Sequence, residues 1–209
     1  MKTDALRIYG EKTRVNVNGN MRVFAVGGTG DNAVRVRAFD GNASGKTGEY
    51  VYLSGLLDED VLESFCDFAV AEKPKAIVRT AYDLEETGII EARYKLSPVM
   101  LLHRLGVLEY CTIAGGVCLD NDDLDLMAQE NVPLIVLPTA DAGYGYGFAP
   151  VCAALKRGVR VGVGTFDGKY NKTRDIEKEA EFLMLTANAE MRTENALTPE
   201  QLKRILEFD

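Results

Sequence analysis

The chain is poor in the residues that build metal and nucleic-acid sites. It has one histidine, His103, and no tryptophan. A catalytic zinc needs three or four N, S or O donors, and one histidine in the middle of "LLHRLG" reads as a surface or helix-packing residue. The four cysteines, Cys66, Cys111, Cys118 and Cys152, contain no CxxC pair. Buried reduced thiols are expected, with Cys66 and Cys152 on helices and Cys111 on a strand. Acidic residues outnumber basic ones, 32 to 24. The net charge of −8 argues against a nucleic-acid surface, which needs clustered Lys and Arg, and against anionic membranes. There is no run of 18 apolar residues, and "MKTDALRIYG" lacks the apolar stretch of a leader, so a cytoplasmic protein is expected. "GKTG" at 45–48 lacks the glycine spacing of a phosphate loop and no helix follows it. "LDNDDLDL" lacks the sixth-position Gly and twelfth-position Glu of a calcium loop, and reads instead as a dipole-stabilised helix start.

What is present falls into two textures. Residues 1–56 are rich in Gly, Asn, Val and Arg. Val15, Val17, Met21 and Val23 alternate around Asn18-Gly19, which predicts a β-hairpin. "AVRVRAFD" (33–40) and "EYVYLSG" (49–55) add two strands. From Leu57 strands and helices alternate. Asp58 caps a helix with Val61, Leu62, Phe65, Phe68 and Ala69 on one face, and Ser97-Pro98 opens another. Asn121 is placed to cap "DDLDLMAQE", and Thr198 to Gln201 form a capping box. Further helices are expected at 149–158 and about 173–190, and strands at 75–81, 111–117, 132–138 and 159–165. Strands alternating with helices make a parallel sheet, whose binding groups gather at the carboxyl ends of the strands. The expected division is a β-rich 1–56 packed on or completing the βα units of 57–209, in one compact domain.

Those strand ends carry motifs. "SPVMLLHRLGVL…TIAGGVCLDNDDLDLMAQENVPLIVLPTADAGYGYGFAPVCAALKRGVRVGVGTFDG…ALTPEQLKRI" resembles the second half of the metal-dependent amidohydrolases. It is most similar to the purine, adenosylhomocysteine and chlorotriazine deaminase and chlorohydrolase branch. The likeness runs from Lys75 to Ile205, with "PT", "G.G.AP", "GVRVGVGT" and "TPEQ" in register. It implies an incomplete or rebuilt TIM-like (β/α) barrel in the α/β class, with N-terminal β-hairpin strands standing in for missing barrel strands. The family's metal ligands do not carry over. Their positions hold Gly115, Cys118, Val136 and Phe166, with Asp167 displaced by one, and the earlier histidine falls within Ile77-Val78-Arg79. No metal, cofactor or catalytic residue is therefore assigned. The expected function is binding of a flat or anionic small molecule, or of a partner, at the former active-site rim. The alternative is a hydrolase or deaminase acting on C–N bonds through a metal-free or oligomer-completed site.

The rim candidates are Arg79, Tyr82, Cys118, Thr139, Asp141, Tyr144, Tyr146 and Asp167, with Phe148, Thr165 and Tyr170 beside them. Tyrosine rings stack on flat ligands, and an arginine can replace a metal as the site's cation. The same aromatics could equally pack over an empty barrel mouth, and Arg79 could pair with Asp141 or Asp167. A parallel sheet of fewer than eight strands has open edges. Either residues 14–55 close it, or two chains pair as a homodimer.

Overall fold

The computed structural model describes residues 1–14, 21–42 and 44–208, with the backbone alone at 10–12 and 14. Eight strands form one sheet in chain order: β1 (Lys2–Arg14), β2 (Met21–Thr29), β3 (Ala33–Ala38), β4 (Tyr50–Leu53), β5 (Lys75–Thr80), β6 (Cys111–Gly115), β7 (Leu134–Val136) and β8 (Val161–Val163). Every neighbouring pair is parallel. The ends meet where Arg7 of β1 bridges Phe166, just past β8, with Ile8 N donating to Phe166 O and Phe166 N to Leu6 O, each at 2.9 Å. The first four strands thus complete the barrel. The open-edge reason for a homodimer falls away.

Their pairing corrects one expectation. The Asn18-Gly19 turn lies outside the described residues, but β1 and β2 run parallel, with Lys2 opposite Met21 and Arg14 opposite Thr29, and do not form a hairpin. The reason is burial. Val23, Phe24, Ala25 and Val26 are buried in succession, the pattern of a strand covered on both faces rather than one with a wet side. Gly27, at φ +75°, turns the chain out of the β2–β3 ladder after Val26.

Helices α1 (Glu59–Glu72), α2 (Leu84–Tyr94), α3 (Pro98–Arg104), α4 (Asn121–Gln129), α5 (Pro138–Tyr144), α6 (Val151–Lys156), α7 (Ile176–Met191) and α8 (Pro199–Leu206) follow the later strands. The helix α1 shows why they form. The Asp58 carboxylate accepts from Val61 N at 3.1 Å, Leu62, Phe65, Phe68 and Ala69 are buried, and Lys73 ends the helix in the left-handed conformation. Burying a side chain such as Phe65 contributes ~1.5–3 kcal/mol. Ser97 and Thr198 cap as expected. Asn121 does not: Asp120 caps α4, in a box with Asp123, because its carboxylate reaches the Asp123 amide at 2.8 Å. Pro138 opens a short helix just past β7 that runs through Tyr144 and ends at Gly145, in the left-handed conformation. His103 is exposed on α3, and all four cysteines are free; Cys111 is buried, the others half-buried.

Alternation along the strands divides the core. Val51, Leu53, Val78, Ile113, Leu134, Val136 and Val163 pack against helices. Tyr52, Ile77, Ala114, Ile135 and Phe166 fill the barrel interior. On β8 and just beyond it, the inward positions are glycines. A Cβ on Gly164 would lie 2.7 Å from Leu6 O, so its absence lets β1 approach and close the barrel.

Candidate functional site

Arg79 points into the carboxyl end of this barrel, since Ile77 on the same strand faces inward and side chains alternate. Its guanidinium carbon lies 3.9 Å from the Tyr82 ring centre, 4.6 Å from Phe166 and 5.8 Å from Tyr146. Its Nε is buried without a hydrogen-bond partner. Asp141, on α5, is 2% exposed, and its Oδ1 is likewise unpartnered. No hydrogen bond or ion pair joins the two, so the alternative in which Arg79 pairs with Asp141 is not what the structure shows. Burial pushes the Asp141 carboxyl up to about 7, against the pull of the Arg79 cation.

The tyrosines pack on one another above this pair. Tyr144 stacks on Tyr146 at 5.6 Å and meets Tyr170 edge-on at 5.2 Å, while Tyr82 meets Tyr146 at 5.4 Å. The Tyr144 hydroxyl donates to Asp167, a bond that pushes the phenol up to about 12. Asp167 also accepts from Lys169 N at 2.9 Å. It therefore fastens the loop after β8 and does not swing toward Arg79. Thr139 is similarly committed, its amide and hydroxyl both donating to the buried Glu179 at 3.1 and 2.6 Å. Cys118 sits among Thr87, Asp83 and Glu86 of the α2 region, and burial raises its thiol. Of the eight candidates, Arg79, Tyr82, Asp141 and Tyr146 gather around one point, with Tyr144 beside them; Cys118, Thr139 and Asp167 do other work.

Two groups escaped the sequence reading. Glu86 on α2 is 1% exposed, and its Oε1 accepts from Thr80 Oγ1 at 3.2 Å and Leu56 N at 3.4 Å. Asp83, followed three residues on by Glu86, is a capping-box spacing that points to both the helix and this glutamate. The second group is Asp4, Arg7 and Thr165 at the barrel seam. An Asp and an Arg three apart inside the apolar run of β1 were the signal.

The metal positions are filled as well as changed. Gly115 has φ +95°, and a Cβ there would lie 2.7 Å from the Tyr82 Cβ. Val136 faces the helices. Phe166 holds φ +51° and lies under Arg79. Among the described residues no three His, Cys, Asp or Glu side chains are placed to hold a metal. The residues present do not fit a zinc centre, and no step is derived through one. We expect Gly115→Ala to destabilise the fold by about 1–3 kcal/mol in urea melts, from the strained φ and the Tyr82 contact. A Tyr82→Gly background, which removes that Cβ, should make the cost of Gly115→Ala smaller, leaving the share that comes from φ. A change below about 0.5 kcal/mol would mean position 115 has room after all.

An eight-stranded parallel barrel with its polar groups at the carboxyl strand ends is of the TIM type. No family model matches the chain. It is 24% identical over 147 residues to a 5-methylthioadenosine/S-adenosylhomocysteine deaminase of Caldicellulosiruptor saccharolyticus, covering 70% of this chain and 34% of the relative. It is 31% identical over 122 residues to an S-triazine hydrolase of Gordonia rubripertincta, covering 57% of this chain and 26% of the relative. The solved atrazine chlorohydrolase from Arthrobacter aurescens TC1 complexed with zinc superposes with a TM-score of 0.70 at 16% identity, over 99% of this chain and 54% of that one. That likeness shows the fold. These matches support the amidohydrolase superfamily for the region they cover, as the strand-end motifs indicated. The chain spans less than half the length of the curated relatives it matches. Among the described residues no helix is long and apolar enough to cross a membrane.

Proposed function

We propose that the chain binds a flat, nitrogen-containing or anionic small molecule at the carboxyl ends of its strands, without a metal. The observation that supports this is the pair of buried, unpartnered polar atoms, Arg79 Nε and Asp141 Oδ1, beside the faces of Tyr82 and Tyr146. Leaving such atoms unpaired costs about 1–3 kcal/mol each, and a ligand offering one acceptor and one donor recovers that cost. The relatives are named for adenosine and triazine compounds, which are flat nitrogen rings. Entry requires the stacked tyrosines to part.

A second reading has support of its own. Asp141, held near 7, is suited to take a proton from an attacking water, and the relatives are hydrolases and deaminases acting on such rings. The chain would then be a hydrolase of C–N bonds with an altered site.

One set of measurements tests both. In a thermal-shift screen of purines, pyrimidines, triazines and small carboxylates, a heterocycle or anion should stabilise wild type, and Arg79→Ala and Tyr146→Ala should lose the shift. A compound that stabilises all three alike would sink the rim reading, leaving the aromatics as filler. Metal assay of chelator-free protein should give well under one ion per chain. Ammonia release from a hit that Asp141→Asn abolishes would favour the hydrolase.

A further inference from the structure

The barrel has a second mouth. At the amino ends of the strands, opposite Arg79, a cavity of about 320 Å³ runs into the interior. Its walls are the inward side chains Phe24, Ile77 and Ile135, closed on one side by Phe208. The Phe208 ring has this place because residue 162 is glycine: a Cβ there would lie 2.5 Å from its Cγ. TIM-type barrels ordinarily fill their interior with bulky layers, but the small Ala5 leaves space at this end, while the room at Gly162 is taken by the Phe208 ring.

The rim differs in character from the walls. Lys75 stands there, exposed, with Arg160 and Glu109 also on the rim. Lys75 Nζ lies 5.1 Å from the Tyr50 ring centre and 3.4 Å from its hydroxyl, and Tyr50 meets Phe24 edge-on at 5.2 Å. Aromatic walls favour a ring, a charged group has no partner deep inside, and the Lys75 ammonium stands at the entrance. The volume lies at the lower end for small-molecule sites.

We propose that this cavity is a binding site for a planar aromatic carboxylate of one or two rings, the ring between Phe24, Ile135 and Phe208 and the carboxylate at Lys75. It is independent of the site around Arg79. The probes are 1-naphthoate, benzoate and the neutral 1-naphthylmethanol, titrated calorimetrically into the full chain. At least one carboxylate should bind saturably. Lys75→Gln should weaken it about fivefold, as for one partly exposed ion pair, and leave the neutral alcohol unchanged. Gly162→Ala, which displaces the Phe208 ring, should weaken acid and alcohol together. Arg79→Ala should change neither. Circular dichroism establishes that each variant is folded, and Lys75, being exposed, is a change the fold tolerates. No saturable binding at millimolar probe overturns the proposal. So does binding that Lys75→Gln and Gly162→Ala leave intact, and loss on Arg79→Ala alone would move the ligand to the other mouth.

Discussion

Asp4→Ala should cost the fold about 3–5 kcal/mol, the range for removing one partner of a buried ion pair. Asp4 is fully buried, and its Oδ2 accepts from Arg7 Nε and from Thr165 Oγ1, both at 2.7 Å, while Oδ1 accepts from Thr165 N at 3.0 Å. One carboxylate thus joins β1 to the segment after β8. Arg7 donates onward to Arg174 O at 2.9 Å, and Arg174 donates to Phe166 O, Ile8 O and Asp167 O. The backbone seam is short, so this network holds much of the closure. Removing Asp4 leaves the Arg7 charge in a site only 5% exposed. A loss that large is a major fraction of the 5–15 kcal/mol that ordinarily stabilises a protein. Asp4→Asn keeps the acceptor for Thr165 and should cost less. Asp4→Leu combined with Arg7→Met should recover much of the loss, because no charge is then stranded. Urea unfolding measures all of these. If Asp4→Ala falls within about 1 kcal/mol of wild type, the seam is held by its backbone bonds and the network is incidental.

The later strands were legible because each carries its own punctuation. Pro98 after Ser97, the box at Thr198 and Gly158 past α6 mark helix ends by local chemistry, and local chemistry survives folding. The alternation that suggested a hairpin did not foresee the partners of β2, whose two edges are taken by the parallel strands β1 and β3; its four consecutive buried residues are a tertiary fact. β1 was missed because Asp4 and Arg7 interrupt its apolar pattern, and Thr165, which donates to Asp4, lies 161 residues away. The strand-end candidates were found by position, which the barrel guarantees. Which of them converge was not, since Thr139 and Asp167 are claimed by Glu179 and Tyr144 from other elements. Nor does a missing histidine at 115 reveal that Tyr82 has taken its space.

Wild-type protein should lose stability between about pH 4.5 and 7 through Glu86 and Asp141, and Glu86→Gln should remove part of that loss. Burial pushes the Glu86 carboxyl from its ordinary 4.5 up to about 7, opposed by its bonds from Leu56 and Thr80, and burial does the same to Asp141 from 3.8. For a carboxyl raised on folding, the folded chain keeps its proton while the unfolded chain gives it up. The stabilising contribution is therefore full below the unfolded value, fades as pH rises, and is gone above about 7. Each such group accounts for roughly 3 kcal/mol between those limits. The measurement is urea unfolding at pH 4.5 and pH 8 for wild type, Glu86→Gln and Asp141→Asn. The drop in stability between the two conditions should be about 2–3 kcal/mol smaller in each variant. Curves that fall in parallel would mean that both carboxyls ionise freely and that water reaches them. The two groups then separate by position. Glu86 ties the segment after β4 and the end of β5 to α2, so its proton bears on the frame alone. Asp141 faces Arg79, so its proton also sets whether the strand-end site offers a ligand a hydrogen-bond donor or a negative charge. A ligand that needs the donor should bind more weakly above pH 7 in wild type and show no such dependence in Asp141→Asn.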